Sequence, residues 1–129
     1  MKKQTTHRPT DAELAILRVL WQRGPSTVRQ VQETLSRDRP TGYTTVLKMM
    51  QIMTDKGLVR RDESQRAHIY HPVFAEEETQ QRLVGDLIER AFGGSTTNLV
   101  MQALSAKKAS PEELAEIRRL LAESEGGEK

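Results

Sequence analysis

Cysteine is absent from the 129-residue sequence, which removes disulfides, thiolate zinc sites and CxxC redox chemistry together. Aromatic residues make up only 4%, so any core has to be aliphatic and modest. No apolar stretch approaches the roughly 20 residues that a membrane-spanning helix needs. The opening MKKQTTHRPTDAE carries two lysines with no apolar run behind them and does not read as a secretory signal. A soluble, cytoplasmic protein without membrane insertion is expected. No glycine-rich phosphate loop occurs either. Histidine is confined to His7, His68 and His71. His7 lies in a polar, basic tail, residues 1–8. His68 and His71, three apart on an expected strand, point to opposite faces and cannot share a metal. Carboxylates are plentiful but fall on helix caps and solvated faces. A nucleophile has no base within reach, so no enzymatic activity, cofactor or metal is expected.

What is present is charge, unevenly placed. Residues 1–73 carry 13 Lys/Arg against 7 Asp/Glu, and residues 74–129 carry 7 against 11, within a net charge of +2. A basic front suits an anionic partner, whereas the acidic rear does not. The boundary is expected near Pro72, separating a front domain (1–73) from a rear one (74–129).

The most informative stretch is residues 41–57, TGYTTVLKMMQIMTDKG. Val46, Met49, Met50 and Met53 recur at intervals of three and four and stack on one side of a helix. Thr44, Lys48, Gln51 and Asp55 form a polar stripe opposite. Thr41 or Gly42 starts this helix, and Gly57 stops it in the left-handed conformation. Tyr43, Thr44 and Thr45 gather hydroxyls in the first turn, at the positive end of the helix dipole, with Lys48 one turn on. Such an edge suits phosphates and base edges.

Ahead of it, Thr10 and Glu13 have capping-box spacing. They begin a helix that Gly24-Pro25 ends. Leu14, Ile16, Leu17, Val19, Leu20 and Trp21 cover most of its circumference, which makes it a central strut with Trp21 in the core. Ser26-Thr27 opens a second helix with Val28, Val31 and Leu35 inward and Arg29, Gln30 and Glu33 outward. Two short helices joined by a tight polar turn form a helix-turn-helix pattern. After Gly57 the period becomes extended. Residues 58–62 read as a strand, residues 63–66 as a turn, and 67–71 as the returning strand. This basic hairpin is a wing whose Arg60, Arg61 and Arg66 can reach phosphates.

Residues 75–129 read as three further helices. The first buries Val84, Leu87, Ile88 and Phe92 and ends at Gly93-Gly94. The second offers Leu99, Val100 and Leu104. The third opens with the capping box Ser110-Pro111-Glu112-Glu113 and carries Leu114, Ile117 and Leu121. Three amphipathic helices in so short a segment cannot bury their apolar faces alone. A homodimerisation arm is expected, with a monomeric cap on the first helix as the other option. The fold class is therefore mainly α with a small β-hairpin: a winged helix-turn-helix followed by a helical dimerisation arm.

With these segments in place the chain resembles the penicillinase-repressor family, the BlaI/MecI type of bacterial winged-helix regulator. The resemblance rests on Asp11-x-Glu13-Leu14 with Trp21, Val28-x-x-Val31, Tyr43-Thr44-Thr45-Val46, Lys56-Gly57-Leu58-Val59, Tyr70 and Phe92-Gly93-Gly94. It implies a homodimer on a palindromic operator in double-stranded DNA, blocking transcription of β-lactam resistance or related stress genes. It places Thr45 and Lys48 against bases and Tyr43 and Thr44 on phosphates or sugars. It also implies a sensor protease that inactivates the repressor by cleavage at an Asn-Phe pair in the second rear helix. Gln102-Ala103 stands at that place here, and the cysteine cluster of a copper-responsive branch is missing. A winged helix used only to bind protein is the rival expectation. The basic front and the wing arginines argue against it.

Overall fold

Thr10 and Glu13 start the first helix, α1 (Asp11–Arg23), as their spacing predicts. The Thr10 hydroxyl accepts the Glu13 amide at 3.1 Å, and the Glu13 carboxylate accepts the Thr10 amide at 2.9 Å. The structure, a computed structural model, describes residues 8–126. His7, most of the basic tail and Gly127 lie outside the described residues. Ile16, Leu17, Val19 and Leu20 are buried, so α1 is the strut that its apolar circumference predicts. Trp21 packs beside this core and donates its indole N–H to the Phe74 carbonyl at 3.0 Å. The ring thereby ties α1 to the segment that leaves the wing.

Glu13 does more than cap. It is only 5% exposed, and its carboxylate also takes the Lys56 ammonium at 2.8 Å, from 43 residues away. Burial alone would raise its pKa. The Lys56 ammonium and the Thr10 amide outweigh that effect and hold the carboxyl below its ordinary value. A carboxylate with a depressed folded pKa contributes stability that is fully present above its unfolded pKa. That contribution fades as pH falls through the lower folded value. Replacing Lys56 with Met should therefore destabilise the first unit at neutral pH by about 2 kcal/mol. The loss stays below the roughly 3–5 kcal/mol typical of a fully buried pair because the Lys56 side chain is 27% exposed. Urea melts at pH 7 and through the acid limb measure this. A variant as stable as the parent at pH 7 would mean that the pair is solvated.

The second helix, α2 (Val28–Leu35), is capped by Thr27. The Thr27 hydroxyl accepts the Gln30 amide, and the Gln30 side chain takes the Thr27 amide at 2.9 Å. Gln30 is thus partly spent on the cap and is not a free outward group. The third helix, α3 (Tyr43–Lys56), ends at Gly57 with φ 82°, the left-handed stop expected of glycine. Strands β1 (Val59–Asp62) and β2 (Ile69–Pro72) pair antiparallel, with Arg60 opposite His71 and Arg61 opposite Tyr70. β2 starts later than its hydropathy implies. The Asp62 carboxylate accepts the Ser64 amide at 2.9 Å, which opens a long turn. His68 therefore sits in the turn, and strand alternation does not fix its direction relative to His71.

The wing is anchored from two sides. Tyr70 is buried in the core, and its backbone exchanges hydrogen bonds with buried Ser26, at 2.8 and 3.2 Å. Ser26, expected only to open α2, adds a short third edge to the hairpin. Val46, Met50, Met53, Leu58 and Val59 complete the core around α1 and Val31. Burial of each large side chain stabilises the fold by roughly 1.5–3 kcal/mol.

Three more helices follow: α4 (Glu76–Ala91), α5 (Thr96–Ala106) and α6 (Pro111–Gly126). The chain divides into two compact units between Leu83 and Val84. In the first unit the start of α4 and the outer side of α1 share a hollow lined by Leu14, Arg18, Trp21, Thr79 and Leu83. Within the second unit Gly93 and Gly94 both take positive φ, and the Gly94 amide closes onto the Ile88 carbonyl at 2.9 Å. Ser95 caps α5, and Ser110 with Glu113 forms the expected capping box of α6. No helix among the described residues is long and apolar enough to cross a membrane.

Candidate nucleic-acid interface

The polar turn between α2 and α3 is built to present a helix end. The Gln32 amide and the Ser36 hydroxyl both donate to the Thr41 carbonyl, at 3.0 and 3.1 Å, and the Thr41 amide donates back to Ser36. The Thr41 hydroxyl is turned into the loop, onto the Arg39 carbonyl. The residue that caps α3 is therefore Gly42, which has no side chain to offer. The first-turn amides of α3 lack the side-chain acceptor that α1 and α2 each have. Tyr43, Thr44 and Thr45 are exposed around that positive end.

Along α3 the two faces separate as the periodicity predicts. Val46, Met50 and Met53 are buried, Met49 and Leu47 are partly so, and Thr44, Lys48, Gln51 and Asp55 are exposed. Ile52, which the apolar and polar spacings both pass over, is exposed as well.

Arg29 and Tyr43, remote in sequence, meet. The Arg29 guanidinium lies 5.0 Å from the centre of the Tyr43 ring, a cation–π stack that directs both toward one groove. That groove, of about 570 Å³, is also lined by Thr27, Glu33, Arg66 and His68. It brings the helix-turn-helix and the wing turn to one surface. Gln32 and Ser36, which position the turn, carry no sequence pattern that marks them.

The wing arginines differ in their engagements. Arg60 and Arg66 are exposed. Arg61 is held by the Tyr70 side chain and by the Glu63 carboxylate at 2.7 Å, which together raise its pKa above the ordinary guanidinium value. To meet a phosphate, Arg61 exchanges one anion for another.

A second surface lies in the rear unit. No side chain among residues 84–126 is buried. Val84, Leu87, Val100, Leu104 and Leu121 are exposed, and Ile88, Phe92, Leu99, Leu114 and Ile117 are only partly covered. Arg119 is paired with Glu116 and Glu123 along α6, so that charge is neutralised locally.

This arrangement of helix-turn-helix, wing and trailing amphipathic helices agrees with what similarity to known proteins shows. The sequence profile described as Penicillinase repressor matches residues 9–123. The chain belongs to the penicillinase repressor family. The transcriptional regulator BlaI of Mycobacterium tuberculosis is 36% identical over 118 residues, covering 91% of this chain and 85% of that one. The penicillinase repressor of Bacillus licheniformis is 23% identical over 120 residues, covering 93% and 94% respectively. Among solved structures, the DNA-binding domain of the repressor BlaI superposes with a TM-score of 0.50 at 26% identity. It covers 60% of this chain and 93% of that domain. This family member is accordingly a transcriptional repressor of the BlaI/MecI type with a winged helix, and it is not an enzyme. As a member of a family of β-lactam resistance regulators, it carries its DNA-binding fold in the N-terminal part, followed by the further helices α4, α5 and α6.

Proposed function

We infer that this cytoplasmic repressor binds a palindromic operator in double-stranded DNA as a homodimer. On this reading α3 enters the major groove of each half-site. The observation that carries it is the uncapped, hydroxyl-edged start of α3, flanked by Arg29 and Arg66 on one groove. Thr45, Lys48 and Gln51 face base edges. Tyr43 and Thr44, with the first-turn amides, hold backbone phosphates or sugars. Arg60, Arg61 and Arg66 take phosphates beside the groove. The rear helices pair with those of a second copy through Val84, Leu87, Val100, Leu104 and their neighbours, which supports two-fold symmetry in the operator. The bond between Gln102 and Ala103 is exposed within α5, but it is not the Asn-Phe pair that the resemblance associates with a sensor protease. A sensor protease that inactivates the repressor stays part of this reading, with Gln102-Ala103 standing where the resemblance places the cleaved pair.

The test is selection of bound duplexes from a random pool, followed by titration at several salt concentrations. A palindromic consensus is expected, with half-sites about 10–10.5 bp apart or a multiple of that, and affinity should fall steeply with salt. Arg61→Ala should weaken selected and random duplexes alike and lower the salt slope by roughly one per subunit. An unchanged slope would put the wing off the DNA. Failure to select any duplex would favour a winged helix that binds protein.

A further inference from the structure

We propose that Ile52 is a specificity-determining residue that recognises a thymine in each half-site through the 5-methyl group of the base. The proposal rests on the reading above, that α3 lies in a major groove. Ile52 is 42% exposed, whereas Val46, Met50 and Met53 on the same helix are fully buried. Thr45, Lys48 and Ile52 follow one another at spacings of three and four, so they form a single ridge along the outward side. Gln51 and Asp55 border the same position and are exposed. Isolated surface aliphatics are common and carry no meaning by themselves. Here the place decides: a β-branched aliphatic group sits on the ridge whose other members are a hydroxyl and a cation, on the helix whose N-terminus is left open. A β-branched residue also gains nothing in helix propensity over a lysine or glutamate on a solvated face.

In the major groove only one base edge of unmodified DNA offers an apolar group, the thymine methyl. From Thr45 to Ile52 the helix rises about 10 Å, close to three base-pair steps of about 3.4 Å each. The ridge therefore addresses neighbouring base pairs with three different chemistries. Lys48 suits the acceptor edge of guanine, Thr45 can donate or accept, and Ile52 excludes water from a methyl group.

The experiment uses the full chain and the selected duplex, with deoxyuridine replacing each thymine singly so that only the methyl group is lost. Expected is a loss of about fourfold in affinity at one thymine position per half-site, the value of one methyl removed from water. In Ile52→Ala the same replacement should make no difference, and in Ile52→Val the loss should shrink. Because Ile52 lies outside the core, the melting curve of Ile52→Ala should match the parent. A fourfold loss that persists in Ile52→Ala would assign the methyl to another side chain and overturn the proposal. Indifference of the parent to every thymine replacement would overturn it too, while leaving the operator reading intact. Absence of any selected duplex would overturn both, so the two failures are distinguishable.

Discussion

Replacing Leu87 with Asp should turn the repressor into monomers and lower operator affinity by about two to four orders of magnitude. Leu87 is 46% exposed in the single chain and stands on α4 between Val84 and Phe92. A carboxylate there costs a folded subunit little, because water already reaches the position. At an apolar subunit interface the same carboxylate would be buried without a partner, at a cost that association cannot absorb. Loss of pairing converts one two-headed binding event into two independent ones. The second head then no longer benefits from an effective concentration set by the first, a factor of about 10²–10⁴. Sedimentation measures the first effect and operator titration the second, and unchanged helical content shows that the subunit is intact. If the variant still sedimented as a dimer, the pairing surface would have to lie elsewhere.

Lys48→Ala should lower affinity for the selected operator by roughly fivefold to 150-fold, the equivalent of the 1–3 kcal/mol attached to a good base-edge contact. It should leave random duplexes comparatively unaffected. Lys48 stands at the middle of the outward side of α3, one turn beyond the hydroxyl cluster. Its ammonium has no partner among the ion pairs of the described residues, and Asp55, the acid on the same side, lies two turns away. A cation without an internal partner can give its full charge to a base acceptor or to a phosphate. Selective loss identifies the base. An equal loss on operator and random duplex, with a flatter salt slope, would assign Lys48 to the backbone instead. Arg61, by contrast, first has to leave Tyr70 and Glu63.

Much of the fold was legible because it depends on residues within a turn of one another. The boxes Thr10/Glu13 and Ser110/Glu113 start helices where their spacing places them. Gly57 stops α3, and the Gly93-Gly94 pair follows the end of α4. The spacing of Val46, Met50 and Met53 separates the buried side of α3 from its polar side. Even the family could be named from residues spread along the chain, because Tyr43-Thr44-Thr45-Val46 and Lys56-Gly57-Leu58-Val59 keep their local order. The wing was legible in kind but not in length. Residues 67 and 68 look like strand by hydropathy, but they lie in the turn that the Asp62–Ser64 hydrogen bond opens.

The sequence by itself determined the helices, their caps and stops, the charge division and the family, since each follows from neighbours along the chain or from composition. Only the tertiary structure decided which distant groups meet. Glu13 serves both its own cap and Lys56, Trp21 bonds to Phe74, Ser26 pairs with Tyr70, and Arg29 stacks on Tyr43. It also set Arg61 opposite Tyr70 across the hairpin and left Ile52 in water. Local periodicity says that a side chain faces inward or outward. Which partner it finds depends on the crossing of elements tens of residues apart, and no spacing along the chain encodes that directly.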